Sequence, residues 1–173
     1  MFCHDNGKVC ILAVTRCGHT SMTGYFGFEP YTNGHQDWNT WYYTKSRRVL
    51  VLRNPFDRLK SAILHSQNSI VTEGYTVDQW IDAHSRPYLH IIKRNSFEII
   101  PFENLGDYIP VHDLTAPTYT SEVKHYDVEY TGPMRREYEI YRYLRQHCNV
   151  ISPEEWKDLT TEYFDEDYLS ENS

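Results

Sequence analysis

Twice in its first sixty residues the chain passes from a short apolar run into a turn and then into a sequence that starts a helix. Residues 9–14 (Val-Cys-Ile-Leu-Ala-Val) lead into Thr15-Arg16-Cys17-Gly18-His19-Thr20-Ser21-Met22, and residues 48–52 (Arg-Val-Leu-Val-Leu) lead into Arg53-Asn54-Pro55-Phe56-Asp57-Arg58-Leu59-Lys60-Ser61. A run this apolar, without polar alternation, reads as a strand covered on both faces, the habit of a central parallel strand. Parallel neighbours need a crossover between them, and a helix after each strand supplies one. Met22, Tyr25 and Phe26 fall at i, i+3 and i+4, so the first helix turns one face to the sheet. Asn54 is placed to cap the second helix, with Pro55 at its first position.

Both turns have the makings of an anion site. The N-terminus of a helix offers backbone N–H groups without helical acceptors and the positive end of its dipole. In the first turn Gly18 allows a tight bend, Thr20 and Ser21 add hydroxyl donors, and Arg16 adds charge. In the second, Arg53 follows the strand directly and Ser61 lies in the helix. Two such turns on neighbouring strands predict a ligand with two separated phosphates.

The order of these residues resembles the two nucleotide-binding motifs of sulfotransferases that use 3′-phosphoadenosine 5′-phosphosulfate (PAPS). In that family the first motif reads roughly Pro-Lys-x-Gly-Ser/Thr-Thr-Ser-Leu and wraps the 5′-phosphosulfate. Gly18, Thr20 and Ser21 match it, while Thr15, Arg16 and Met22 replace the proline, lysine and leucine. The second motif is an apolar strand, then Arg-Asn/Asp-Pro-x-x-Arg-x-x-Ser, whose first Arg and Ser hold the 3′-phosphate; these map onto Arg53 and Ser61. Two weaker similarities follow. Residues 97–105 (Phe-Glu-Ile-Ile-Pro-Phe-Glu-Asn-Leu) look like the family's later strand ending in Tyr/Phe-Glu-Asp/Asn-Leu, and Tyr163-Phe164-Asp165-Glu166-Asp167-Tyr168 looks like the closing helix of carbohydrate-type members.

The resemblance implies that residues 16–22 (Arg16, Cys17, Gly18, His19, Thr20, Ser21 and Met22), with Arg53 and Ser61, bind the nucleotide. It implies direct in-line transfer of a sulfuryl group to a hydroxyl acceptor, without a metal and with release of adenosine 3′,5′-bisphosphate. Arg16 departs from the family lysine. Its guanidinium stays protonated, so its expected catalytic part is electrostatic stabilisation rather than proton donation. The Arg-Lys-Gly loop that cytosolic members place on the 3′-phosphate has no copy here; Lys124, Arg135 and Arg136 are the substitutes on offer, and the local pattern picks none. For the general base His35 is the first choice and Glu29 the alternative: both lie between the motifs, and a neutral imidazole accepts a hydroxyl proton near neutral pH. Trp38, Trp41, Tyr42 and Tyr43 lie close by in sequence and read as core rather than as a stacking platform. Arg58 reads as an ion-pairing, structural residue, and Cys17 as a small space-filler.

Further along, Thr76 with Gln79 resembles a capping box, residues 97–102 read as a third strand, and helices are expected over 133–148 and from Ser152, where Ser-Pro-Glu-Glu is a start signal. Residues 110–132 read as a long loop of the kind that closes over a site. At 173 residues and 20.6 kDa the chain is expected to be a single domain, 1–173. The motifs and the resemblance together make the expected fold α/β, a P-loop-like three-layer sandwich with a central, mainly parallel sheet flanked by helices. A net charge of −7 argues against broad nucleic-acid binding. No apolar stretch is long enough to span a bilayer and no leader is evident, so a cytoplasmic protein without a membrane partner is expected. Cys3, Cys10, Cys17 and Cys148 fit no zinc spacing, and free thiols are expected.

Two other functions compete. A P-loop-like small-molecule kinase is disfavoured because Gly-x-x-x-x-Gly-Lys-Ser/Thr is absent and the second strand ends in Arg53 rather than a magnesium-binding Asp. The other is a catalytically degenerate nucleotide-binding module. For the sulfotransferase, the partners are the nucleotide donor and a hydroxyl-bearing acceptor, carbohydrate or small molecule, a glycan among them.

Overall fold

The computed structural model describes residues 2–14, 17–27, 38–58, 61, 88, 91, 96–109 and 132–161. Among them four strands form one sheet in the order β1-β2-β3-β4: β1 Phe2–Asp5, β2 Val9–Ala13, β3 Arg47–Leu52 and β4 Glu98–Pro101. β2 pairs with β3 in parallel register, Ile11 opposite Val49, and β3 with β4, Leu50 opposite Ile99. The sheet is therefore mostly parallel with helices around it, an α/β arrangement.

The apolar runs form the two central strands. Every residue of β2 and the last four of β3 are buried, with Leu50 and Ile11 at 0 % exposure. A strand buried on both faces needs apolar side chains pointing both ways, which is why neither run alternates. The sequence gives no strand signal before residue 9, yet β1 pairs antiparallel with β2, Asp5 opposite Cys10. Its turn is built by short polar side chains: Asn6 Oδ1 accepts from the Lys8 and Val9 N–H groups at 2.9 and 2.7 Å, and Asp5 Oδ1 accepts from Gly7 at 2.9 Å. Gly7 takes φ +87°, a conformation that side chains with a Cβ resist.

Helix α1 (His19–Tyr25) follows β2 and buries Met22, with Phe26 just beyond it. Helix α2 (Trp38–Tyr43) places Trp41 at 0 % exposure against Phe97, ring centroids 6.1 Å apart, and leaves Tyr43 exposed. Trp41 is core, as expected, but on a helix. A helical turn at 55–58 starts where Asn54 Oδ1 accepts the Phe56 N–H at 2.9 Å, the cap read from sequence. After β4 comes a 3₁₀ helix, Phe102–Asp107. Helix α3 (Gly132–His147) buries Glu137, Ile140 and Leu144 along one stripe. Helix α4 (Pro153–Thr160) is capped by Ser152, whose side chain accepts the Glu155 N–H at 3.1 Å, and buries Trp156 and Thr160. Between α3 and α4, Val150 forms a parallel bridge with Ile99 on the outer side of β4. The capping box at Thr76, residues 110–131 of the loop expected over 110–132 and the closing segment 163–168 lie outside the described residues; residue 132 of that loop is helical.

Candidate functional site

The carboxyl ends of β2, β3 and β4 are neighbours because the three strands are parallel. In open α/β sheets this edge is where ligands bind, since the following turns and helix starts all open there. Here it carries Cys17 and Gly18 after β2, Arg53 after β3, and Phe102 to Leu105 after β4.

Gly18 is the residue before α1 and has φ +78°. Glycine is required there for two reasons. The left-handed conformation strains any residue with a Cβ, and a Cβ at this position would lie 2.6 Å from Leu105 Cδ2 and 3.6 Å from Phe102 Cε2. The turn is thus pressed against the segment after β4. The first helical bond of α1 runs from the Met22 N–H to the Gly18 carbonyl at 2.9 Å, so the N–H groups of His19, Thr20 and Ser21 precede it and have no acceptor within the helix. The Cys17 N–H is spent on the Val14 carbonyl at 2.9 Å, and the Cys17 and Met22 side chains are fully buried. Neither residue has a side chain or an N–H left for a ligand. Of the residues expected in the first motif, His19, Thr20 and Ser21 are the ones whose N–H groups have no acceptor within the helix; Arg16 lies outside the described residues.

Arg53 stands across the same ring. Its guanidinium carbon sits 4.2 Å from the centroid of Phe102, the ring that also borders Gly18. Burial lowers the Arg53 pKa from the ordinary arginine value, because the charge is partly stripped of water. Such a cation gains more from an anionic ligand than one already solvated. Ser61 is half-buried and helical.

The backbone of Arg53 is held by a residue that no local pattern predicts. Tyr88 Oη donates to the Arg53 carbonyl at 2.8 Å and accepts the Arg53 N–H at 2.9 Å. Cys17 Sγ lies 3.6 Å from the same hydroxyl. Tyr88 is fully buried, and burial raises its pKa well above the ordinary tyrosine value, so it remains a neutral hydroxyl. Behind it the Arg58 guanidinium packs 4.6 Å from the Tyr88 ring centroid and pairs with Glu137 of α3 at 3.6 Å; both members are buried. Glu137 also accepts the Tyr88 N–H at 3.4 Å. Arg58 is therefore an ion-pairing residue beneath the edge, as read from sequence. Cys17 is buried and its thiol is pushed up by desolvation, which suits a space-filler and not a nucleophile.

Several expected site residues fall outside the described residues: Thr15, Arg16, Glu29, His35 and Lys124. Of the other two substitutes offered for the missing loop, Arg135 pairs with Glu139 at 3.3 Å and Arg136 is exposed on α3. Tyr88, Phe102 and Glu137 gave no site signal in the sequence. Phe102 belonged to a segment noted for resemblance, but Tyr88 is one of 15 tyrosines with no motif around it. Among the described residues no group of three His, Cys, Asp or Glu side chains is placed to hold a metal ion, and no helix is long and apolar enough to cross a membrane. Comparison of the chain with protein-family models, with curated proteins and with solved structures found no match.

Proposed function

We propose that the chain is a sulfotransferase that moves a sulfuryl group from 3′-phosphoadenosine 5′-phosphosulfate to a hydroxyl acceptor, a carbohydrate or small molecule, within a P-loop-like three-layer fold. The observation that carries the reading is the meeting of Gly18 and the half-buried Arg53 on one Phe102 ring, at the carboxyl edge of adjacent parallel strands. Those are two anion-seeking turns side by side, in the order of the two motifs that the sequence resembles.

In this reading the N–H groups at the start of α1, the Thr20 and Ser21 hydroxyls and Arg16 hold the phosphosulfate end, and Arg53 with Ser61 holds the 3′-phosphate. The acceptor oxygen attacks sulfur in line. Its S–O bond forms as the bond from sulfur to the phosphate oxygen breaks, and adenosine 3′,5′-bisphosphate leaves. His35, or Glu29 in its place, takes the acceptor proton. Positive groups on the bridging and equatorial oxygens and correct alignment supply most of the rate, as in phosphoryl transfer.

Calorimetric titration with adenosine 3′,5′-bisphosphate, with ATP and magnesium as the comparison, tests the reading. Preference for the bisphosphate, followed by sulfate ester formation from labelled donor on a panel of hydroxyl acceptors, is the expected result. No binding, or preference for ATP, would sink it.

A further inference from the structure

We infer that Tyr88 is a positioning residue that sets the register between the two anion-binding turns. The inference rests on the nucleotide reading above and concerns how this chain builds that site.

The argument starts from what a phenol can bond. A tyrosine hydroxyl has one proton to give and two lone pairs to receive. The proton of Tyr88 goes to the Arg53 carbonyl at 2.8 Å, and one lone pair takes the Arg53 N–H at 2.9 Å. With its only proton spent, the hydroxyl can meet Cys17 Sγ at 3.6 Å only as acceptor, so the thiol is the donor. All three capacities are used, and all are used on Arg53, which follows β3, and Cys17, in the turn between β2 and α1. Arg53 is the point where β3 stops, so its N–H and carbonyl have left the ladder that pairs residues up to Leu52. One side chain bonds both groups, and it does so while touching the residue next to Gly18.

The ring is immobilised as well. Tyr88 is fully buried; Arg58 covers its ring at 4.6 Å, and Glu137 holds both the Arg58 guanidinium and the Tyr88 N–H. A hydroxyl fixed in this way ties the height of Arg53 to the Cys17–Gly18 turn. Two phosphates on one rigid nucleotide reach both turns at once only if the spacing between the turns matches their own. Loss of the tie should therefore weaken a ligand that spans the turns more than one that uses a single turn.

The test is Tyr88→Phe, which keeps the ring and its contact with Arg58. Affinities are measured for adenosine 3′,5′-bisphosphate, adenosine 3′-monophosphate and adenosine 5′-monophosphate, by calorimetry or, for millimolar binders, by ligand-observed NMR. Thermal unfolding is followed in parallel, and titrations are run well below the transition. The expected result is a loss of about tenfold for the bisphosphate and less than about threefold for either monophosphate, the size of one hydrogen-bond cluster expressed only in the spanning ligand. Equal losses for all three ligands, or an unchanged bisphosphate affinity, would overturn the positioning role while leaving the nucleotide reading intact. A native chain that binds none of the three overturns the nucleotide reading and the role of Tyr88 with it.

Discussion

The two ends of β3 carry arginines in different surroundings. At the amino end Arg47 bonds Glu98 and Glu155, each at 2.6 Å, and Arg48 gives its guanidinium to the Trp41, Tyr42 and Thr44 carbonyls at 2.8–3.2 Å, closing the end of α2. At the carboxyl end Arg53 lies half-buried over Phe102 beside a glycine turn. A cavity of about 790 Å³ opens at the amino end, lined by Arg47, Arg48, Phe97, Glu98, Tyr143 and His147 among others. The two arginines of that cavity bond two carboxylates and a helix end. The carboxyl edge combines a partly dehydrated cation with N–H groups that have no helical acceptor. The chemistry of the carboxyl edge is a better guide to an anionic ligand than the volume of the cavity at the amino end.

The contrast can be broken by substitution. The largest effect is expected at the buried pair behind the carboxyl edge: Glu137→Ala leaves Arg58 charged in the interior and should cost about 3–5 kcal/mol in chemical denaturation. A loss no greater than that of a surface change would show that the edge is not braced by this pair. Next comes Arg53→Ala, which should lower affinity for adenosine 3′,5′-bisphosphate by about tenfold to a hundredfold, the range of a charge-assisted hydrogen bond. Arg47→Ala, titrated beside it, should leave that affinity unchanged; the reverse pattern would move the site to the cavity. Gly18→Ala, which forces a Cβ into Leu105 and keeps φ positive, should lower stability by about 1–3 kcal/mol, read as a drop in melting temperature.

A smaller effect is expected from pH. Burial lowers the His4 pKa, and the opposing pull of Asp5 does not restore it. The unfolded chain therefore takes up the proton first. Stability from this group is complete above the unfolded value of about 6.5 and is lost as pH falls below it toward the lower folded value. Native stability should decline from pH 7 to pH 5, and His4→Phe, which keeps an aromatic ring beside Phe2 and Phe26, should flatten that decline; an unchanged slope would exclude His4 as its source. The smallest effect is at the amino end. Arg47→Ala should hardly move the denaturation midpoint, because exposed ion pairs are screened by water and salt.

Residues close together in the chain announced much of the fold. Two uninterrupted apolar runs made β2 and β3, and Asn54-Pro55 and Ser152-Pro153 marked helix starts that the side chains cap as expected. Gly18 and Arg53 stood out for a related reason: Gly18 is the residue before α1 and Arg53 directly follows β3, places where backbone geometry is set by immediate neighbours. Strand β1 escaped notice: Phe-Cys-His-Asp is short and mixed, and it becomes a strand only because β2 offers an edge to pair with.

What depends on distant parts of the chain was hidden. Tyr88 meets Arg53 across 35 positions and Cys17 across 71, and Glu137 reaches Tyr88 across 49. No periodicity or cap encodes such meetings, because they arise from how strands and helices pack. Local sequence settled where the chain turns and which residues face those turns. Only the packed structure decided that one buried hydroxyl touches both, since a hydrogen bond needs atoms brought within about 3 Å, or somewhat more for sulfur, and chain order carries no information about that distance.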